Sequence, residues 1–465
     1  MKIAFGLGAL SGRRAEGLPE RGFEEIMNKN KNRGKLGLIA FLLTIFVCFG
    51  NWQTAYGLQA LDPVDYGALL TLDEAISKTL QDHAQVKMAI ERFEKEKALY
   101  KAKRAEFFPK LGTEIFQGVS TGEKRSVTYF DTLIEQPIFQ GGKTIAEKNK
   151  QKVKVEEETL KLEQTKLDLE LEVRILYAEV LKEKELTRIA QGAVKELSQG
   201  YDRVKILSDK EMIARYELLR TETLLQKAKE SLVLHKETYD CLFAFLKETV
   251  GLGEDKSIEL EALDDFREID AQMRAFLEAA RSNDPLYKLK ELAVKEKEYE
   301  KKSLEADRYP HISLGAKWNI YQDVFVDANR GMLGVFGRWN IWDFGRLGAQ
   351  IQAKAHEIEE TKWAGEIEKN KNERQIRRYF HDARAVLEKI KSCESMARER
   401  EEGYKNEKVM VIAGEKGSGE LLDSFLALIQ SRIEYLQAVT EYRCIFARLE
   451  RSTCFKLAGG EANEE

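Results

Sequence analysis

The chain has 465 residues, of which only 6 are proline, and 33% are charged, with 75 Lys and Arg against 79 Asp and Glu. A chain this long accommodates two or more domains, and so charged and proline-poor a composition suits long helices. It excludes a helical membrane span, because no run reaches the roughly 18 to 20 apolar residues that one needs.

Near the start, the apolar run "LGLIAFLLTIFVCFG" (36–50) follows Lys29, Lys31, Arg33 and Lys35. A basic segment, an apolar stretch and a region near "QTAYGLQA" read as a secretory signal peptide, with Met27 the expected true start. The upstream "GLGALSG" lacks the lysine and the strand-to-helix context of a phosphate loop. Residues 1–57 hold eight Lys or Arg and four Asp or Glu, so their removal takes +4 from a whole-chain net charge of −4 and leaves −8. An acidic exported chain excludes nucleic acid as a partner. Cys48 falls in the signal, and Cys241, Cys393, Cys444 and Cys454 are too widely spaced for a disulfide framework or a metal site.

The body of the chain reads as one unit written twice. The charged helix ending in "AEFFP" and the one ending in "ADRYP" align Pro109 on Pro310, an offset of 201. Beyond each proline, two strands are expected. In "HISLGAKWNIY", Ile312, Leu314, Ala316, Trp318 and Ile320 share one face, and His311, Ser313, Lys317, Asn319 and Tyr321 the other. This period of two marks a strand with one oily and one wet side. "MLGVFGRWNIW" alternates likewise, while "PKLGTEIFQG" and "SVTYFDTLIEQPIF" hold the same places in the first unit with less regular alternation. Strands of about ten residues with an apolar face fit a transmembrane β-strand.

"EQPIFQGGK" and "RWNIWDFGR" then align Gly142 on Gly345 at an offset of 203. A helix follows from Lys143 to about Gln199, with apolar rows Val153, Leu160, Leu167 and Leu162, Leu169, Leu176. Two rows predict a helix with neighbours on both sides rather than a two-stranded coiled coil. After a turn near residues 200–216 comes the row Leu218, Leu225, Leu232, Tyr239, Leu246. At the same offset stand Leu421, Leu428, Tyr435, Tyr442 and Leu449, after a turn near residues 403–419, and Cys241 falls on Cys444. The expected organisation is an upstream segment and signal over 1–57, a first repeat over 58–250, a linker over 251–275 with a short strand at 257–263, a second repeat over 276–455, and an acidic tail over 456–465.

Within the second repeat, "GEKGSGELLDSF" places Glu420 and Asp423 three residues apart after a glycine turn. Helix capping by Ser418 or Gly419, with acids favoured by the helix dipole, is one reading. The five histidines, including His381 of "FHDAR", fall at no ligand spacing, so neither an enzyme nor a metal or cofactor site is expected.

The signal, the two aromatic-proline helix ends, the steps "EQPIFQGG" and "WNIWDFG", the turn before "GELLDS" and the doubled unit together resemble the TolC-type outer-membrane efflux family, over about residues 70–455. The resemblance implies a mainly α fold with a transmembrane β portion. In it a homotrimeric α-barrel tunnel in the periplasm continues into a 12-stranded β-barrel in the outer-membrane lipid. It further implies a passive conduit, gated at its periplasmic end, that docks on a periplasmic adaptor (membrane fusion protein) and an inner-membrane transporter of RND or ABC type, for multidrug efflux or type I secretion. Glu420 and Asp423 correspond to the family's pore constriction, and Lys416 to a basic residue four positions before the first acid. Glu420 stands where the family more often has Asp. Glu217 is the equivalent position in the first repeat, followed by Arg220 instead of an acid, and Glu217 is either a partner of Lys416 or Arg220 in a closed state or a solvated surface group. From the residues alone, an exported periplasmic coiled-coil scaffold or adaptor is the competing reading.

Overall fold

A proline after each short helix stops it, and a glycine before each long helix starts it; everything else in the architecture hangs on those two punctuation marks. The computed structural model describes residues 68–119, 126–253, 258–263, 269, 272–322, 327–413 and 415–454. The signal segment, the proposed start at Met27, the C-terminal tail and much of the linker lie outside the described residues. All the described elements belong to one unit, Tyr66–Glu465.

The chain opens with β1 (Ala68–Leu70), α1 (Leu72–Asp82) and α2 (Ala84–Ala105). Thr71 and Glu74 form a capping box at the start of α1, each side chain accepting from the other's backbone N–H, at 3.2 and 3.1 Å. The expected single helix before Pro109 is therefore two, broken at His83, whose extended backbone caps α2. Two antiparallel strands follow, β2 (Lys110–Val119) and β3 (Ser126–Phe139). Gly142, with φ +91°, then turns the chain into α3 (Lys143–Asp209), and α4 (Arg215–Val250) returns. A left-handed backbone at this corner is open to glycine at little cost.

The second half runs β4 (Ile258–Leu260), α5 (Met273–Asn283), α6 (Pro285–Ala306), β5 (His311–Gln322), β6 (Asp327–Arg338), α7 (Arg346–Ile412) and α8 (Ser418–Thr453). Asp284 breaks and caps the pair α5 and α6, accepting from the Leu286 N–H at 3.0 Å, with Pro285 in the first turn. Gly345, with φ +85°, starts α7. The helix lengths match in pairs: 11 residues for α1 and α5, 22 for α2 and α6, 67 for α3 and α7, and 36 for α4 and α8.

At 67 residues, α3 and α7 each extend about 100 Å at 1.5 Å per residue. α3 runs ten residues beyond the expected end at Gln199, straight through Gly200, and α7 runs through Gly403. A glycine inside a helix costs only about 1 kcal/mol, and burial of Leu197 and Val204 on either side of Gly200 outweighs it. The two turns thus shrink to residues 210–214 and 413–417.

The four longer strands form one antiparallel sheet in the order β2-β3-β5-β6. Pro137 sits in the inner strand β3 where the register shifts between Pro137 and Phe139, a place that tolerates its missing donor. Separately, β4 pairs in parallel with β1. Tyr177 of α3 fastens this ribbon: its buried hydroxyl lies 2.8 Å from the Leu70 carbonyl and 2.9 Å from that of Glu261. Burial pushes this phenol up to about 12.

The helices bury their cores in antiparallel pairs, α3 on α4 and α7 on α8, and α8 also packs on α3. Leu225, Leu246, Leu428, Tyr442 and Leu449 of the heptad rows are buried, and the remaining members of both rows are half-buried.

Candidate gate and membrane-facing sheet

Two regions at opposite ends of the long helices carry the features that bear on function. The first is the sheet. Register places Leu111, Ile134, Ala316 and Leu333 side by side across all four strands, with Ile115, Phe130 and Ile320 parallel to them. Thr113, Thr132, Trp318 and Gly331 lie between these rows. Most of this face is open: Leu111 is 71% exposed, Leu333 76% and Val335 68%. Trp318 lies flat over Gly331, where any Cβ would come within 2.9 Å of its ring. The other face carries Glu114, Asp131, Lys317 and Asn319, and Lys317 meets Asp131 at 2.7 Å. The oily side read in β5 thus continues across the sheet in the row Leu111, Ile134, Ala316 and Leu333, while the side with the charged groups also carries Phe116, Leu133 and Met332. Within the chain, β2 and β6 are left as edges.

The second region is the far tip, where α7 turns into α8. Gly417, in an extended conformation, is the N-cap of α8, with no side-chain cap bond. This differs from the expected cap at Ser418 or Gly419, because the helix begins one residue sooner. Glu420 falls in the first turn and Asp423 one turn in, on the face turned to the start of α4. A Cβ on Gly419 would lie 3.6 Å from Glu217 Oε2 and 3.7 Å from Arg220 Nη1, ordinary contact distances, so the two helix starts meet closely at this residue without requiring a glycine.

Each acid there has its own cation. The Arg220 guanidinium donates to the Asp423 carboxylate, and the Lys416 ammonium lies 3.2 Å from Glu420 and 3.3 Å from Glu407. Asp423 holds Arg220 above its ordinary pKa, and Glu420, then Glu407, do the same for Lys416. Both acids remain open, with 59% of each side chain exposed. Among the described residues Glu217 makes no ion pair; Arg220 turns to Asp423 instead, and Lys416 to Glu420 and Glu407.

Sequence reasoning did not find Glu407 or the choice of partners. One signal was available: Arg220 and Asp423 stand 203 apart, the offset of the two halves, so opposite charges occupy corresponding positions. Among the described residues no cluster of His, Cys, Asp or Glu is arranged to hold a metal ion, and no helix is long and apolar enough to cross a membrane.

Residues 75–250 match the sequence profile of the outer membrane efflux protein family. No curated protein matches the chain. Among solved structures, the chain is similar to the MtrE outer membrane channel of Neisseria gonorrhoeae in its open state, at 15% identity and a TM-score of 0.71 over 82% of this chain and 88% of that one. It is similar to the CmeC outer membrane channel of Campylobacter jejuni at 12% identity and a TM-score of 0.72, over 82% and 85%. The VceC outer membrane protein of Vibrio cholerae gives 12% identity and a TM-score of 0.70, over 82% and 95%. At such identities these likenesses establish the fold. The four-stranded sheet on paired long helices is the fold of these solved outer membrane channels, and over residues 75–250 the chain is similar to the outer membrane efflux protein family.

Proposed function

We propose that three copies of this chain form a passive export duct: a closed twelve-stranded barrel in the outer membrane, continued by a helical tunnel in the periplasm. The observation that carries this reading is the open apolar row Leu111, Ile134, Ala316 and Leu333, which crosses four strands whose outer two are left as edges. Lipid offers no hydrogen bonds to an open edge, so a spanning sheet must close. Closure takes at least about eight strands; four strands from each of three chains give twelve. The paired helix lengths support an internal twofold repeat, which lets six similar hairpins line one ring.

In this duct the tip is the gate. Three copies of Glu420 and Asp423 converge on the bore, and residues three apart share a helix face. A ring of carboxylates favours cations and repels anions. Arg220 and Lys416 temper that ring, and Arg220 holds the two helix pairs of each chain together, so opening parts Arg220 from Asp423. The duct performs no chemistry. It receives cargo from an inner-membrane transporter of RND or ABC type through a periplasmic adaptor, in efflux or type I secretion.

Planar-bilayer recording tests both parts. The wild-type chain is expected to give cation-preferring currents blocked by multivalent cations, and Glu420→Ala with Asp423→Ala to lose much of both properties. Currents that the double substitution leaves unchanged refute the gate assignment. A chain that stays a water-soluble monomer with no affinity for bilayers refutes the duct.

A further inference from the structure

Just inside the tip, the two helix pairs enclose a cleft of about 360 Å³. Its floor is apolar: Leu197 and Val204 of α3 and Phe425 of α8 are buried there, and Leu422 packs against the same cluster. Its mouth is basic. Arg203 is exposed and makes no ion pair among the described residues. Lys408 lies 5.8 Å from the centre of the Tyr404 ring and makes a long contact, 3.9 Å, to Glu196, a carboxylate that also accepts from the Tyr404 hydroxyl at 3.1 Å. The other acid at the cleft, Glu217, lies beside Arg220 near Gly419. An apolar chamber of a few hundred Å³ with a small number of charged groups at its rim is the usual form of a small-molecule site.

We infer that this cleft binds a small amphipathic anion, a compact ring system bearing one sulfonate or carboxylate. The ring body fills the space between Leu197, Val204 and Phe425, and the anionic head meets Arg203 and Lys408. A neutral hydrophobe of the same shape fits the floor but leaves the guanidinium unmatched, so charge decides between the two. Because the cleft is walled by α3 and α4 on one side and α7 and α8 on the other, its occupant bridges the pairs that Arg220 and Asp423 also join. That consequence rests on the gate reading; the binding itself does not.

The test uses the full chain in nanodiscs with two fluorescent probes of nearly one shape, anionic 1-anilinonaphthalene-8-sulfonate and neutral N-phenyl-1-naphthylamine, each corrected for empty nanodiscs. The anionic probe is expected to saturate at one site per chain. Arg203→Gln with Lys408→Gln should weaken it at least tenfold while leaving the neutral probe within twofold. Gly200 lines the cleft, and a Cβ there meets nothing within 4 Å, so Gly200→Phe should fill the chamber without disturbing the helix and abolish saturable binding of both. Saturable binding that survives Gly200→Phe, equal weakening of both probes by the charge substitutions, or no saturable binding at all each overturns the inference. None of these readouts needs a current, so the cleft and the duct fail separately.

Discussion

α4 and α8 have the same length and the same seven-residue row, yet they live in different surroundings. Tyr442 and Leu449 on α8 are fully buried against α7 and α5, and Cys444 is buried on the side where α8 also packs on α3. On α4, Leu234, Cys241 and Phe245 lie along one exposed face. Heptad spacing therefore states that a helix has a neighbour but not how many. The face that α8 covers within the chain, α4 leaves open, and in the proposed trimer a second subunit covers it.

The strongest way to break this contrast is at its buried end. Tyr442→Ala should destabilise the chain by about 3–5 kcal/mol, the range for losing a buried large aromatic ring, read as a lower midpoint in chemical unfolding. Phe245→Ala should stay within about 0.5 kcal/mol in the same measurement on dissociated chains and instead weaken assembly. Equal losses at both sites would erase the distinction.

A smaller effect separates the corresponding positions Tyr177 and Phe380. Tyr177→Phe strips the ribbon of its hydroxyl tie and should cost about 1–3 kcal/mol. Phe380→Tyr should not stabilise the second half, since the buried ring at 380 packs against Phe276 at 5.8 Å and a new hydroxyl brings a desolvation cost. Denaturation midpoints of the two exchanges check this.

Thiol labelling sharpens the comparison without unfolding anything. Burial holds the Cys444 thiol at about 11, so only about one in a thousand is thiolate at pH 8, and alkylation should be slow in every assembly state. Cys241 should react quickly in dissociated chains and slow down on assembly. Rapid Cys241 labelling in the assembled protein would place the subunit contact elsewhere.

The smallest effect is electrostatic. Lys297 and Lys354 hold Glu357 down to about 2, while the corresponding contact in the first half is the buried bond from Gln151 Nε2 to Glu96 Oε2, at 2.6 Å. A carboxylate with a depressed folded pKa stabilises fully above its unfolded value near 4.5, and that contribution disappears as pH falls from there toward 2. Partial exposure limits it to a few tenths of a kcal/mol. Glu357→Gln should flatten the acid limb of a stability profile between pH 4.5 and 2 by that amount; an unchanged limb would rule the pair out as a contributor.

The elements with strong punctuation were readable in the sequence. Pro109 and Pro310 fix where α2 and α6 end, Gly142 and Gly345 where α3 and α7 begin, and alternation from Ile312 to Ile320 marks the oily face of β5. Helix ends were less legible: Gly200 looks like a stop until the burial of Leu197 and Val204 is counted, and α7 runs through Gly403 with no buried residue from 394 to 412 to mark it. The breaks at His83 and Asp284 depend on single caps inside otherwise helical patterns. Pairing of Ala68–Leu70 with Ile258–Leu260 joins three-residue strands nearly two hundred positions apart, too short to show any period. At the tip, residue types named the charged groups, but their partners depend on how closely α4 and α8 approach at Gly419.

That approach has an electrostatic corollary. Positions 220 and 423 stand 203 apart, so in the proposed internal repeat the same charged side chain at both would set like charges face to face across the tip and push the pairs apart. An arginine on one side and an aspartate on the other turns that repulsion into a clasp. In the proposed duct, one change of residue between the two halves suffices to convert a self-repelling end into one that can be fastened and released.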